Sequence, residues 1–115
     1  MRRLVEIRSY KLVPGSGTRF HELVATRSLP LLQARNMEVV AFGQSLHDPD
    51  AYFLVRAYDD LEHLRSSQEA FYASDAWRKG PRQSIIELIA SDWNVVMWLT
   101  AEAVDAMRNS SPLGK

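Results

Sequence analysis

The sequence predicts an α+β domain with the order strand, helix, strand, strand, helix, strand. This is the ferredoxin-like βαββαβ plan, a four-stranded antiparallel sheet with helices on one face. Three observations carry it. Residues 3–13 alternate strictly, with Val5, Ile7 and Ser9 on one side and Glu6, Arg8 and Tyr10 on the other. Residues 37–58 hold two apolar runs around His47-Asp48-Pro49-Asp50, a turn by composition. Two helix-period stretches separate the strands, and residues 92–100 form a last apolar run. Connection rules then put strands one and three at the centre of the sheet.

The first strand ends at Pro14-Gly15, and Ser16-Gly17-Thr18 offers caps for a helix. That helix carries Phe20, Leu23, Val24, Arg27 and Leu31 on one stripe. Pro30 should kink or restart it, and Asn36 supplies a left-handed stop. Strand two covers 37–46 with Val39, Val40 and Phe42, and strand three covers 51–58, rich in aromatic and β-branched residues. Asp59-Asp60 caps the next helix, with Glu62 in the place of a capping box. Its stripe is Leu61, Leu64, Gln68 and Phe71. Ser74-Asp75 caps a turn holding Trp77, and Gly80-Pro81 opens one more helix with Ile85, Leu88 and Ile89 inward. Residues 1–100 make the domain. Residues 101–115 read as a helix of one or two turns and a loose tail from Asn109.

A chain of 115 residues makes one domain with one core. Fourteen Lys and Arg balance fourteen Asp and Glu, which speaks against a strongly basic nucleic-acid binder. Without Cys there is no thiol nucleophile, disulfide or Cys-bound metal. No apolar run approaches the ~20 residues of a membrane span, and the start lacks the pattern of a signal peptide, so a cytoplasmic protein is expected.

Both faces of the sheet read as apolar. The last strand sets Trp93, Val95, Met97 and Leu99 on one side and Val96 and Trp98 on the other. Strand three sets Phe53 and Val55 against Tyr52, Leu54 and Tyr58. Two covered faces and helices for only one imply a second cover, and a homodimer packed through the sheet face is the simplest.

The strand Val5 to Gly15 looks like the opening of NIPSNAP-type domains, E-[LI]-R-x-Y-x-[LV] running to Pro-Gly. Leu29-Pro30-Leu31-Leu32, Phe42-Gly43, Tyr58-Asp59-Asp60-Leu61, Arg65 and Ser74-Asp75-Ala76-Trp77 follow in matching order. The resemblance covers nearly the whole chain to Leu99. It implies the dimeric α/β-barrel superfamily, which includes small monooxygenases, haem-degrading enzymes, dehydratases and proteins without known activity. It also favours Trp77 as a wall of a cavity between helices and sheet. One departure stands out: where relatives often carry Trp two residues before the strand-three Tyr, this chain has Arg56.

The chemistry-bearing set is Glu6, Arg8 and Tyr10 on strand one with Arg56 and Tyr58 on its neighbour. Arginine forks suit carboxylate or phosphate, and phenols donate to an oxyanion. One reading is a pocket for a small anionic or carbonyl-bearing molecule, walled by Trp77, serving a binding protein or a cofactor-free, monooxygenase-like enzyme. The other is an ion network tying two subunits together in a non-catalytic module that works through protein partners. His21, beside the Phe20 and Val24 stripe, and Tyr58 are the candidates for acid–base work. An enclosed polar cavity of a few hundred Å³ would favour the enzyme or ligand-binding dimer, a filled core the module. His21, His47 and His63 lack metal-site spacing, and no Gly-rich phosphate loop occurs, so neither metal nor cofactor is expected.

Overall fold

A computed structural model describes residues 1–110. Four strands, β1 (Arg2–Leu12), β2 (Glu38–Gln44), β3 (Ala51–Tyr58) and β4 (Ile89–Thr100), form one sheet in the order β2-β3-β1-β4. All three pairings are antiparallel, so the expected α+β topology is the one observed. Strand β4 begins at Ile89, three residues before the expected start, because Ile89 pairs with Leu12 across a bulge and is drawn out of the preceding helix.

The first helical stretch is not one helix. It runs as α1 (Gly17–Leu23), a π turn (Val24–Ser28) and α2 (Leu29–Ala34). Pro30 sits in the first turn of α2, where its missing N–H and its ring break the regular ladder behind it. Asn36 closes α2 with φ 58°. The Met37 N–H reaches the Leu32 carbonyl at 3.0 Å and the Asn36 N–H reaches that of Gln33 at 3.0 Å, a Schellman motif with Leu32 and Met37 both in the core.

The cap of α1 comes from far along the chain. Ser16 bonds the Val13 carbonyl, and the carboxylate of Asp50, in the β2–β3 turn, takes the N–H groups of Gly15 and Gly17, both at 2.9 Å. Gly17 is required here, since a Cβ would lie 1.8 Å from the Pro49 carbonyl oxygen.

Helix α3 (Leu61–Ala73) is capped by Asp60, which accepts from the His63 N–H at 2.8 Å. The expected box with Glu62 does not form. His63 takes that place, its Nδ1 accepting from the Asp59 N–H at 3.0 Å. Ser74 caps α4 (Asp75–Arg78), and Pro81 precedes α5 (Arg82–Ile86).

These five helices cover the sheet face that carries Leu4, Tyr10, Leu12, Tyr52, Leu54 and Tyr58. Directly opposed residues of antiparallel strands share a face. Glu6 opposes Arg56 and Val96, and Arg8 opposes Leu54 and Asn94, so the Glu6-Arg8-Tyr10 row lies beneath the helices. It is covered by this chain's own helices rather than lying on the open face of the sheet.

The opposite face is covered in part by α6 (Ala101–Ser110), which is longer than the one or two turns expected and includes Asn109. Val104 is buried there against Val5, Val40, Ala41, Val55 and Ala57. Glu38 ties the helix down by accepting from Arg108 and, at 3.0 Å, from Arg3. The chain itself thus supplies part of the cover that a second copy was expected to provide. The tail beyond residue 110 lies outside the described residues. Among them, no helix is long and apolar enough to cross a membrane.

Candidate functional site

The Glu6 carboxylate is the centre of the polar cluster under the helices, and it is fully buried. Its Oε1 accepts from Arg56 Nε at 2.8 Å. Its Oε2 accepts from Arg8 Nε at 3.1 Å, Gln68 Nε2 at 2.6 Å and Asn94 Nδ2 at 3.1 Å. Burial pushes its pKa up, but the charges of Arg56 and Arg8 and the Gln68 amide outweigh burial and hold it below the ordinary carboxylate value. The carboxylate is therefore ionised and saturated with donors, a structural anchor rather than a base.

Arg56 is 1% exposed. Its Nε is used by Glu6, whereas Nη1 and Nη2 are buried and have no hydrogen-bond partner among the described residues. The Tyr72 ring lies 5.9 Å from the guanidinium carbons of both Arg56 and Arg8. Arg56 lines a cavity of about 40 Å³ between helices and sheet. Phe20, Val24, Ser28 and Leu32 wall it from the first helical stretch, Phe71, Tyr72, Trp77 and Ile85 from the later helices, and Tyr10, Tyr52 and Leu54 from the sheet. A buried arginine edge without an acceptor, in a cavity, is what an anion or a carbonyl oxygen would satisfy.

The structure brings together four of the sequence-derived residues. Arg56, Tyr10 and Trp77 line the cavity, and Arg8 stands beside it through Glu6 and Tyr72. Trp77 packs against Phe71 and Tyr72 at centroid distances of 5.4 and 5.7 Å. Tyr58 is not in the lining; its hydroxyl accepts from Gln68 at 3.3 Å. Burial raises the pKa of Tyr58 and, likewise, of Tyr10, so both keep their phenolic protons at neutral pH.

His21 lies elsewhere. Its Nδ1 is 2.6 Å from the Tyr52 hydroxyl, and it lines a broader, open hollow at the β2–β3 end with Phe42, Ser45, His47 and Phe53. That hollow has no Lys, Arg, Asp or Glu in its lining, so the charged chemistry belongs to the smaller cavity. Tyr52 lines both and separates them. His63 is spent on the helix cap.

Three participants were not singled out from sequence: Gln68, Tyr72 and Asn94. The signal for Gln68 was present, a polar residue inside the apolar stripe of α3. Asn94 follows from strand register, since it stands opposite Arg8 on β4.

No family model matches the chain, and no curated protein matches it. Solved structures do. A NIPSNAP-like domain protein from Burkholderia xenovorans superposes with a TM-score of 0.78 at 18% identity, covering 86% of each chain. A NIPSNAP family protein from Agrobacterium tumefaciens has a TM-score of 0.78 at 16% identity, covering 86% of this chain and 87% of its own. A Nitrosomonas europaea protein named for the antibiotic biosynthesis monooxygenases has a TM-score of 0.64 at 17% identity, covering 83% of this chain and 88% of its own. At these identities it is the fold that is shared. The resemblance seen in the first strand is thus met in three dimensions: this chain has the fold of NIPSNAP domain proteins, and more distantly that of proteins named as antibiotic biosynthesis monooxygenases.

Proposed function

We propose that this protein binds a small anionic or carbonyl-bearing molecule in the cavity beneath Arg56. One observation carries the reading: a fully buried guanidinium keeps two nitrogens unpartnered at the wall of a cavity while its third is fixed by Glu6. Leaving buried donors unmade is costly unless something uses them. The cavity is far smaller than the few hundred Å³ expected of the enzyme or ligand-binding dimer. It suits a compact ligand, or the polar end of a longer one passing the half-buried Tyr72. A screen of small anions and carbonyl compounds by ligand-observed NMR tests this. Binding is expected in the wild type and a loss of at least tenfold in Arg56→Met. If no compound binds in an Arg56-dependent way, the cavity is not a site.

A cofactor-free, monooxygenase-like reaction in the same cavity is the second reading, favoured by the fold neighbours named for that activity. It would need a substrate that itself stabilises a carbanion or radical, with Arg56 holding the oxygen that takes up the charge.

The working unit in this reading is a homodimer. On the face opposite the first five helices, Trp93 is 81% exposed, Val95 56% and Met97 41%, beside the part of the sheet that α6 leaves open. An apolar strip of this kind along an edge strand is what a second copy would cover. Sedimentation at micromolar concentration should give a dimer, and Trp93→Asp combined with Met97→Asp a folded monomer. A wild-type chain that sediments as a monomer overturns the dimer and leaves the cavity untouched.

A further inference from the structure

The geometry points to a monocarboxylate with a compact apolar body, rather than a phosphate or a neutral carbonyl compound, as the ligand of this cavity. The inference rests on the binding function proposed above and narrows it. The first argument is shape. Arg56 spends Nε on Glu6 at 2.8 Å, so what remains is its end-on edge, Nη1 and Nη2. Two parallel N–H donors on a planar edge match the two oxygens of a carboxylate. A neutral carbonyl or amide offers one good acceptor to that pair and leaves a donor unmade.

The second argument is charge. Arg8 and Arg56 are two cations against the single carboxylate of Glu6, and Gln68 and Asn94 are neutral. The buried Glu6–Arg56 pair is neutral, and Arg8, with its side chain 22% exposed, adds one positive charge beside it, which one monoanion balances. A phosphate dianion would overshoot, and a buried charge without a partner is strongly disfavoured.

The third argument is the wall. Away from Arg56 the lining is Phe20, Val24, Leu32, Leu54, Phe71 and Ile85, with hydroxyls only from tyrosines and Ser28. An alkyl group is at home among these apolar side chains, where further charged oxygens of a phosphate would be costly to bury. About 40 Å³ holds roughly three waters, if each needs on the order of 10–15 Å³, and three waters occupy about 90 Å³ at a liquid share of ~30 Å³ each. That is a carboxylate with a short alkyl tail.

The test compares propionate, propionamide and inorganic phosphate by calorimetry and by NMR of the arginine side-chain nitrogens. Propionate should bind saturably and shift the Arg56 signals, with the other two at least tenfold weaker. Two variants check the location: Arg56→Met removes the fork, and Val24→Leu fills the cavity while leaving every charge in place. Each should weaken propionate at least tenfold with an unchanged circular dichroism spectrum. Phosphate or propionamide binding in the cavity as tightly as propionate overturns the carboxylate assignment but leaves the binding function standing. Propionate binding that survives Val24→Leu overturns the assignment as well. Failure of all three probes, together with an empty screen of larger compounds, removes both.

Discussion

Replacing Glu6 with glutamine is expected to lower the stability of the fold by about 3–5 kcal/mol, the usual result of removing one partner from a buried ion pair. The glutamine keeps the shape of the side chain but leaves Arg56, 1% exposed, and Arg8 as uncompensated cations under the helices. It also turns an NH₂ group toward donors that need an acceptor. Arg56→Met should be far milder, costing no more than about 2 kcal/mol. Glu6 would still accept from Arg8, Gln68 and Asn94, and two unpartnered nitrogens would disappear with the guanidinium. Denaturant unfolding of the two variants measures the asymmetry; an Arg56→Met loss as large as that of Glu6→Gln would mean that Glu6 is not the anchor.

The same carboxylate sets an acid limit. Its pKa is lowered in the fold from the ordinary value of 4.5, so the folded state binds its proton less readily than the unfolded chain. The stability this contributes is fully present above about pH 4.5 and is lost as pH falls through the lower folded value. Glu6→Gln should remove that component, and its stability should be flatter than the wild type between pH 5 and 3.

Trp77→Ala is expected to cost about 3–5 kcal/mol, the range for truncating a large buried aromatic. Trp77 is 8% exposed and closes the cavity against Phe71 and Tyr72. Its loss merges the space of the indole with the existing cavity, so the variant should also change what fits. Benzoate, too large for the present cavity, should gain at least tenfold over propionate in Trp77→Ala relative to the wild type. Lost stability without a shift in ligand size would make Trp77 a packing residue alone.

Local signals in the sequence were read well where a single residue decides the backbone. Asn36 stops α2, Pro30 restarts it, and Asp60 and Ser74 cap their helices. The alternation of β1 and β3 separated the two faces of the sheet correctly. It did not say which face the helices take, because tyrosines and leucines on one side and valines and isoleucines on the other are both fit for burial. Gln68 holds the answer, since it alone on the inward stripe of α3 can bond a sheet carboxylate. The Asp50 clamp on Gly15 and Gly17 joins positions more than thirty residues apart, beyond any capping pattern. The cover from α6 was underestimated because Val104 and Met107 are its only strongly apolar inward residues.

The π turn at Val24–Ser28 bears on how this region can change over time. In a regular helix every fourth residue runs about 40° past a full turn, so a row spaced by four soon leaves the surface it started on. The wider π turn rotates less per residue and takes back that excess, and Phe20, Val24, Ser28 and Leu32, each four residues apart, all reach the cavity wall. Such a turn amounts to one inserted residue accommodated without unfolding the helix. A deletion of one residue here would restore regular helix and swing Leu32 off the wall. This segment is therefore fixed in length as well as in composition, and gaps between related chains should fall in the loops on either side of it.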